Sequence, residues 1–173
     1  PPGRPMSLTL EQLKLLHELQ AERRLLGCCG SRAWARGVAA GRPYYTFEEL
    51  LATSDRVWWH VTPDDWREAF SRHPRIGDSA ASARNTAEHW SEREQARARA
   101  GSAATLAELA EVNAEYEDRF GHVFLICATG RTADQILDIA RERLDNDPET
   151  ELRIAAEEQR LITHLRLRKL LDI

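Results

Sequence analysis

The sequence has few of the residues from which disulfide frameworks, metal sites and membrane spans are built. Its 173 residues include three cysteines, at positions 28, 29 and 127, and no C-x-x-C pair, which argues against a disulfide or zinc framework. The histidines are scattered and form no H-E-x-x-H motif, so no metal site is expected. The odd number of cysteines, two of them adjacent, favours reduced, mostly buried thiols in a cytoplasmic protein. No apolar run approaches the roughly 20 residues of a membrane-spanning helix, so we expect no membrane contact.

An excess of charge of one sign is also missing. The formal net charge is −4 and no long block of like charges occurs. This small net charge argues against general binding to nucleic acids or anionic membranes, and it is compatible with a local basic pocket. The chain also has no glycine-rich phosphate loop and no G-x-S-x-G nucleophile motif.

Helical periodicity is present nearly throughout the chain and predicts one all-α domain of about eight helices. A short apolar run at 123–128 has no second strand with which to pair, so we predict a buried extended segment near residues 122–129. Residues 1–6 lack helical periodicity and are expected to be a vector-derived or disordered N-terminus, followed by a single domain at residues 7–173.

The two ends of the domain show clear helix signals. Thr9 with Gln12 predicts a capping box, from which a single leucine stripe that includes Leu19 continues toward residue 26. Pro148 is expected at the first position of the last helix, with Leu165 among its inward-facing residues.

A histidine stands where a helix is predicted to end. Thr62 is the expected N-cap and Pro63 the first helical residue, whereas Pro74 disfavours the α conformation for His73. Gly77 then permits a tight bend of the backbone. The resulting imidazole at a helix C-terminus suits proton transfer near neutral pH. The alternative is an ordinary helix end with a solvated histidine.

A polar triplet follows on the next predicted helix. Ser91, Glu94 and Gln95 have the i, i+3, i+4 spacing that places a hydroxyl, a carboxylate and an amide on one helix face. Such a face could bind one small polar ligand. The alternative is a solvated surface with local ion pairs.

Two further stretches could contact a ligand. The apolar segment near residues 122–129 would present backbone N–H and C=O groups that need partners, and a heteroatom-rich ligand could supply them. It could equally be a connection that fills the core. In the last helix, Arg166 could turn inward toward a carboxylate, although two surface arginines are the simpler reading of this stretch.

These motifs occur in the order found in one known family. They are LGCCGS at 26–31, HPRIG at 73–77, SEREQ at 91–95, FG at 120–121 before the apolar run, and LRL at 165–167. From about Leu25 to the C-terminus, the sequence resembles the 2-oxo-4-hydroxy-4-carboxy-5-ureidoimidazoline (OHCU) decarboxylases of urate breakdown. The resemblance implies an all-α fold, commonly a homodimer, no cofactor, and (S)-allantoin and carbon dioxide as products.

The resemblance also implies roles for particular residues. His73 and Glu94 would be catalytic and would exchange a proton with the substrate. The implied substrate-binding residues are Pro74, Ser91, Gln95, Phe124, Leu125, Ile126, Cys127, Ala128 and Arg166, with Arg75 left open as the alternative partner of the substrate carboxylate. A functional link to an upstream hydroxyisourate hydrolase and a urate-oxidising enzyme is expected. The alternatives are a related ureide hydrolase and a non-catalytic helical module that binds a polar ureide.

Overall fold

Eight helices account for most of the residues that the computed structural model describes, which are residues 7–76 and 102–173. They are α1 (Leu10–Leu15), α2 (Glu18–Leu26), α3 (Arg32–Ala40), α4 (Phe47–His60), α5 (Pro63–Ser71), α6 (Ala103–Phe120), α7 (Ala133–Leu144) and α8 (Pro148–Leu170). The predicted all-α fold is confirmed, and the described ranges contain no strand. Within those ranges, no helix combines the length and the apolar character needed to cross a membrane.

Local capping chemistry begins and ends several of these helices, and the predicted capping box of Thr9 and Gln12 is among them. The Thr9 hydroxyl accepts from the backbone N–H of Gln12, and the Gln12 side chain accepts from the backbone N–H of Thr9. Thr132 and Gln135 form the same reciprocal pair at the start of α7. At the end of α6, Gly121 adopts φ +77°, a left-handed conformation that suits glycine.

The N-terminal leucine stripe is divided between two helices, so the prediction of one continuous stripe is wrong. Leu16 is extended and α2 begins after His17. Nη1 of Arg42 donates to the carbonyl oxygens of Leu13 and Leu16, at 2.9 and 2.6 Å. These bonds satisfy carbonyl groups near the break, and Leu19 beyond it is 63% exposed. A residue distant in sequence therefore stabilises a break that periodicity could not show.

The chain divides into two compact units. Unit 1 comprises Pro1–Glu68 and Arg160–Ile173, and within it α3 packs against α2 and α4. Trp34 is fully buried there, and its indole N–H donates to the Ser54 carbonyl at 3.2 Å. Trp58 is also buried, and its carbonyl accepts from the indole of Trp66 at 2.9 Å.

Unit 2 comprises Ala69–Gln159, and α6 packs against α7 within it. The connection between these helices is the extended, largely buried stretch that the sequence predicted near residues 122–129. Side chains from both helices and the connection share one core, made of Leu109, Val112, Tyr116, Phe124, Ile126, Ala128, Ile136, Leu137 and Ala140. The core therefore holds the connection that was predicted to contact a ligand.

The buried face of α8 differs from the predicted one. Leu165 is 36% exposed, so its predicted inward position is wrong, whereas the polar Gln159 and Thr163 are buried. From residue 155 onward, the buried residues of the helix are Ala155, Ala156, Gln159, Ile162, Thr163, Leu167 and Leu170. The apolar pattern alone could not show this face because two of its members are polar.

Candidate active site

His73 lies just beyond the end of α5, as the sequence predicted. The Thr62 hydroxyl accepts from the backbone N–H of Asp65 at the start of this helix, at 3.3 Å. At its end, the backbone N–H of His73 donates to the Phe70 carbonyl at 3.1 Å, and Pro74 has no N–H with which to continue. The imidazole is half-buried, so the end of the helix holds it in a partly protected position.

A glutamine distant in sequence contacts this imidazole. Nε2 of His73 lies 2.6 Å from Oε1 of Gln159 on α8. Gln159 is fully buried, and a buried amide needs hydrogen-bond partners. No motif in the sequence pointed to Gln159 as a site residue. A signal for it was available, because Gln159 is three or four residues from Ala155, Ala156 and Ile162 and therefore shares a helix face with them.

The loop after His73 is attached to α6. Arg75 forms a two-pronged ion pair with Glu117, in which Nε donates to Oε1 at 2.6 Å and Nη2 to Oε2 at 2.9 Å. The Asn113 amide nitrogen donates to the Ile76 carbonyl at 3.0 Å. These contacts hold the residues that follow the histidine, and they engage Arg75 with a protein carboxylate.

The extended segment already has protein partners for part of its backbone. The Leu125 carbonyl accepts from Nη1 of Arg143 at 2.7 Å. The Cys127 N–H donates to Oε2 of Glu158 at 2.8 Å. Because Glu158 and Gln159 are consecutive residues of α8, one stretch of this helix contacts both the segment and the His73 ring.

A buried charge cluster stabilises the same segment. Nε of Arg143 donates to Oε1 of Glu151 at 2.7 Å, and the Tyr116 hydroxyl donates to the same oxygen. Nδ2 of Asn146 donates to Oε2 at 3.1 Å, and the Arg143 guanidinium lies 4.7 Å from the centre of the Phe124 ring. Burial raises the pKa of Tyr116 well above its usual range, so the phenol stays protonated as a donor.

His122 belongs to the aromatic core of unit 2. Its ring centre lies 5.2 Å from that of Phe70 and 5.5 Å from that of Tyr116. Its Nδ1 lies 3.1 Å from the carbonyl oxygen of Val123. This environment is that of a packed core histidine, and it connects the end of α5 to the extended segment.

Arg166 belongs to unit 1, where it lies close to two buried thiols. Burial raises the pKa of Cys28 to about 12 and that of Cys29 to about 11, although the Arg166 charge opposes both shifts. Both thiols are therefore neutral at physiological pH. They do not supply a negative charge to the half-buried Arg166.

Gly77, for which a tight bend was predicted, belongs to the part of the chain that the structure does not describe. Ser91, Glu94 and Gln95 lie outside the described residues. Within unit 2, the structure brings His73 and the segment that includes Phe124, Leu125, Ile126, Cys127 and Ala128 to adjacent residues of α8. Among the described residues, no group of three His, Cys, Asp or Glu side chains is arranged to hold a metal ion.

Comparisons with known proteins identify the family. The family model described as OHCU decarboxylase matches residues 14–168. The chain is 43% identical over 146 residues to the uric acid degradation bifunctional protein TTL of Arabidopsis thaliana, with 83% of this chain and 45% of that protein covered. It is 33% identical over 140 residues to the OHCU decarboxylase of Amia calva, with 80% and 79% covered.

A solved structure is similar over nearly its whole length. It is described as a crystal structure of OHCU decarboxylase in the presence of (S)-allantoin, and it matches with a TM-score of 0.74 at 41% identity. The match covers 86% of this chain and 96% of that one. The chain therefore belongs to the OHCU decarboxylase family, although it spans less than half the length of the bifunctional Arabidopsis relative.

Proposed function

We propose that this chain converts OHCU into (S)-allantoin and carbon dioxide, a carbon–carbon lyase reaction in urate degradation. The main support is the 41% identity to an OHCU decarboxylase whose crystal structure was determined in the presence of (S)-allantoin. The Amia calva relative is named for the same decarboxylation, and the Arabidopsis relative is named for uric acid degradation.

The substrate's own structure explains how a protein without a cofactor could carry out this reaction. The carbon that bears the carboxylate also bears a hydroxyl and adjoins a ring C=N bond. When the C–C bond to carbon dioxide breaks, its electron pair forms a C=C bond to the neighbouring carbon. The C=N electron pair moves onto the ring nitrogen, which takes up a proton, and an enol results. The hydroxyl then loses its proton and becomes a carbonyl, while the neighbouring carbon gains a proton on one face. The protein needs to supply orientation, proton transfer and stereocontrol.

His73 and Glu94 are the proposed proton-transfer groups. His73 is half-buried at the end of α5, and both its backbone and its ring are hydrogen-bonded within unit 2. This environment suits an imidazole that must keep one orientation while it exchanges a proton with the substrate hydroxyl. Glu94 is proposed as its partner on the basis of the family motif.

The remaining proposed contacts bind the polar groups of the substrate. Ser91 and Gln95 would bind the ureido arm, with Pro74 as a rigid wall. Backbone groups of residues 124–128 would bind ring nitrogen and oxygen atoms. Because backbone groups of Leu125, Cys127 and Ala128 already bond within the protein, those of Phe124 and Ile126 are the better candidates.

Arg166 is the proposed partner of the substrate carboxylate. The competing candidate, Arg75, already donates to both oxygens of Glu117, so a second carboxylate would have to displace that ion pair. The thiols beside Arg166 are neutral because burial raises the pKa of each. A guanidinium can bind a carboxylate through two parallel hydrogen bonds.

A circular dichroism assay tests this function directly. Urate is oxidised by a urate-oxidising enzyme and a hydroxyisourate hydrolase, with and without this chain, and the optical activity of allantoin is followed. Uncatalysed decay protonates both faces of an achiral intermediate, so it gives racemic allantoin without a signal. We expect a rapid signal of the (S) enantiomer with this chain, and only the slow racemic background with His73→Asn. No difference between the reactions with and without the chain would overturn the proposal.

The same reaction mixture distinguishes the two alternatives. A non-catalytic binding module would slow carbon dioxide release from fresh substrate, whereas a decarboxylase accelerates it. A ureide hydrolase would consume allantoin once it had formed, whereas a decarboxylase leaves it to accumulate. The family match favours the decarboxylase.

Assembly and location are part of the same proposal. We expect a homodimer in the cytoplasm that receives its substrate from the upstream hydroxyisourate hydrolase and urate-oxidising enzyme. The bifunctional relatives from Arabidopsis thaliana and from Bacillus sp. (strain TB-90), both named for uric acid degradation, support this link to the urate pathway. Sedimentation of the purified chain would test the dimer.

A further inference from the structure

We infer that Gln159 is a positioning residue for His73, and that it keeps hydrogen on Nε2 so that Nδ1 is the nitrogen that exchanges the proton. The catalytic part of this inference rests on the proposed function. The choice of tautomer rests on the geometry of unit 2 alone, so the two parts can be tested separately.

The contact between the two side chains determines which nitrogen carries hydrogen. Oε1 of Gln159 lies 2.6 Å from Nε2 of His73. A carbonyl oxygen can only accept, so Nε2–H is the donor. A neutral imidazole carries one ring hydrogen, which leaves Nδ1 as the basic nitrogen. Gln159 is fully buried, and a buried amide without a partner costs about 1–3 kcal/mol. Its surroundings therefore favour keeping this hydrogen bond.

Neighbouring contacts hold Gln159 in its place along α8. The preceding residue, Glu158, accepts from the Cys127 N–H at 2.8 Å. About two helical turns earlier, Glu151 accepts from Nε of Arg143 at 2.7 Å. Both bonds join α8 to other parts of unit 2, so a sliding or rotation of the helix would break them. The amide of Gln159 thus approaches the histidine from a fixed direction.

The backbone of His73 is restricted from the other side. Its N–H donates to the Phe70 carbonyl at 3.1 Å, and the following Pro74 narrows its backbone conformations. The chain therefore fixes the start of the side chain, and Gln159 fixes the far nitrogen of the ring. Together they leave one ring orientation.

His122 supplies an internal reference with the opposite tautomer. Its Nδ1 lies 3.1 Å from the Val123 carbonyl oxygen, which can only accept, so hydrogen belongs on Nδ1. Both histidines belong to unit 2. A measurement on one sample should therefore show two histidines with opposite protonated nitrogens.

Long-range proton–nitrogen NMR of the ¹⁵N-labelled full chain tests the tautomer without any activity measurement. The spectrum is recorded near pH 8.5, above the usual imidazole pKa of about 6.5, and His73→Asn identifies the His73 signals. We expect a protonated Nε2 and a bare Nδ1 for His73, and the reverse for His122. A bare Nε2 on His73, or a ring that is protonated on both nitrogens at this pH, would overturn the inference.

Variants of Gln159 test the positioning role. Gln159→Met has a similar length and no amide, so both tautomers of His73 should become populated and the nitrogen shift difference of its ring should shrink. We expect kcat to fall on the order of tenfold to a hundredfold with little change in KM, because the amide acts through the imidazole. Gln159→Glu keeps an acceptor at the same reach and should restore Nε2–H and much of kcat.

Gln135→Met is the matched control, because it removes a glutamine amide of unit 2 that caps α7 and has no part in the proposed site. It should keep both the His73 spectrum and kcat. If Gln159→Met leaves the spectrum and kcat unchanged, the positioning role is wrong. If the wild-type chain shows the expected tautomer without turnover, the proposed function fails and the tautomer stands. Should Gln159→Met not fold, the wild-type spectrum and Gln159→Glu still decide the question.

Discussion

Removal of the charge on Glu151 tests whether a buried ion pair holds the extended segment in place. Glu151 is fully buried and Arg143 is 5% exposed. Nε of Arg143 donates to Glu151 at 2.7 Å, and its Nη1 donates to the Leu125 carbonyl at 2.7 Å. Glu151→Gln preserves the shape of the side chain and leaves the buried guanidinium without its counter-charge.

The structure predicts a large loss of stability. The removal of one partner from a buried ion pair costs about 3–5 kcal/mol, because the remaining charge stays desolvated. Nδ2 of Asn146 adds to this cost, since it donates to Oε2 of Glu151 at 3.1 Å and would meet a second donor if the new amide nitrogen took that position. For a chain of this size, each kcal/mol lowers Tm by roughly 2–4 °C. We therefore expect Tm to fall by roughly 6–20 °C.

Urea denaturation followed by far-UV circular dichroism measures the free energy of unfolding, and calorimetry measures Tm. Glu108→Gln is the matched control, because it breaks the ion pair of Glu108 with Arg141, in which both side chains are about half-exposed. Exposed pairs contribute about 0–1 kcal/mol. A loss in Glu151→Gln no greater than in Glu108→Gln would refute the reasoning.

A double variant separates the lost charge from a general repacking effect. Arg143→Met with Glu151→Gln removes both charges and keeps an amide that can accept from the Tyr116 hydroxyl. Because no charge then stays buried without its partner, the penalty of a broken buried pair does not apply. The Leu125 carbonyl would lose its donor, at a cost of about 1–3 kcal/mol. We expect the double variant to be more stable than Glu151→Gln.

The remaining predictions concern the proposed chemistry and the buried thiols. His73→Asn should fold, bind allantoin and lose on the order of a hundredfold or more in kcat. Glu94→Gln should have the same effect. If His73 and Glu94 act as one unit, the double variant should lose little more kcat than either single variant. Losses of kcat that multiply in the double variant would mean that the two residues have separate roles. Arg166→Lys should reduce activity, because the ammonium of lysine cannot form the two parallel hydrogen bonds that a guanidinium makes with a carboxylate. Full activity in this variant would mean that another residue binds the substrate carboxylate. Activity should survive prolonged EDTA treatment, because the C=N bond of the substrate accepts the electron pair; loss that zinc restores would contradict this. Burial raises the pKa of Cys28 to about 12 and of Cys29 to about 11 from an ordinary 9.0. The thiols therefore ionise at a lower pH in the unfolded chain than in the folded one, and the free energy of unfolding should fall as the pH rises above 9.0. The fall should be less steep in a Cys28→Ala/Cys29→Ala variant.

Local chain chemistry predicted the position of His73 because the relevant forces act within a few residues. Thr62 provides an acceptor for the first turn of α5, and Pro74 both lacks an N–H and restricts the residue before it. The same kind of reasoning located the capping box of Thr9 and Gln12. These features need no information about which helices pack together.

Periodicity failed where a distant side chain changed the outcome. The break at Leu16 accompanies the hydrogen bond from Arg42, which lies 26 residues further along the chain. The inward face of α8 includes Gln159, which an apolar pattern passes over, and excludes Leu165. The order of apolar residues does not reveal that a polar side chain such as Gln159 is buried. That burial depends on the hydrogen-bond partner that the fold brings to it.

The sequence by itself determined the helical class, both ends of α5, the starts of α1 and α8, the histidine before a proline and the motifs of the family. Only the tertiary structure decided which polar groups meet. His73 contacts Gln159 across 86 residues of chain, and the Cys127 N–H contacts Glu158 across 31. Such pairs depend on which faces of the helices pack together, and a single sequence contains the spacing of residues within a helix but no direct record of the helix that faces it.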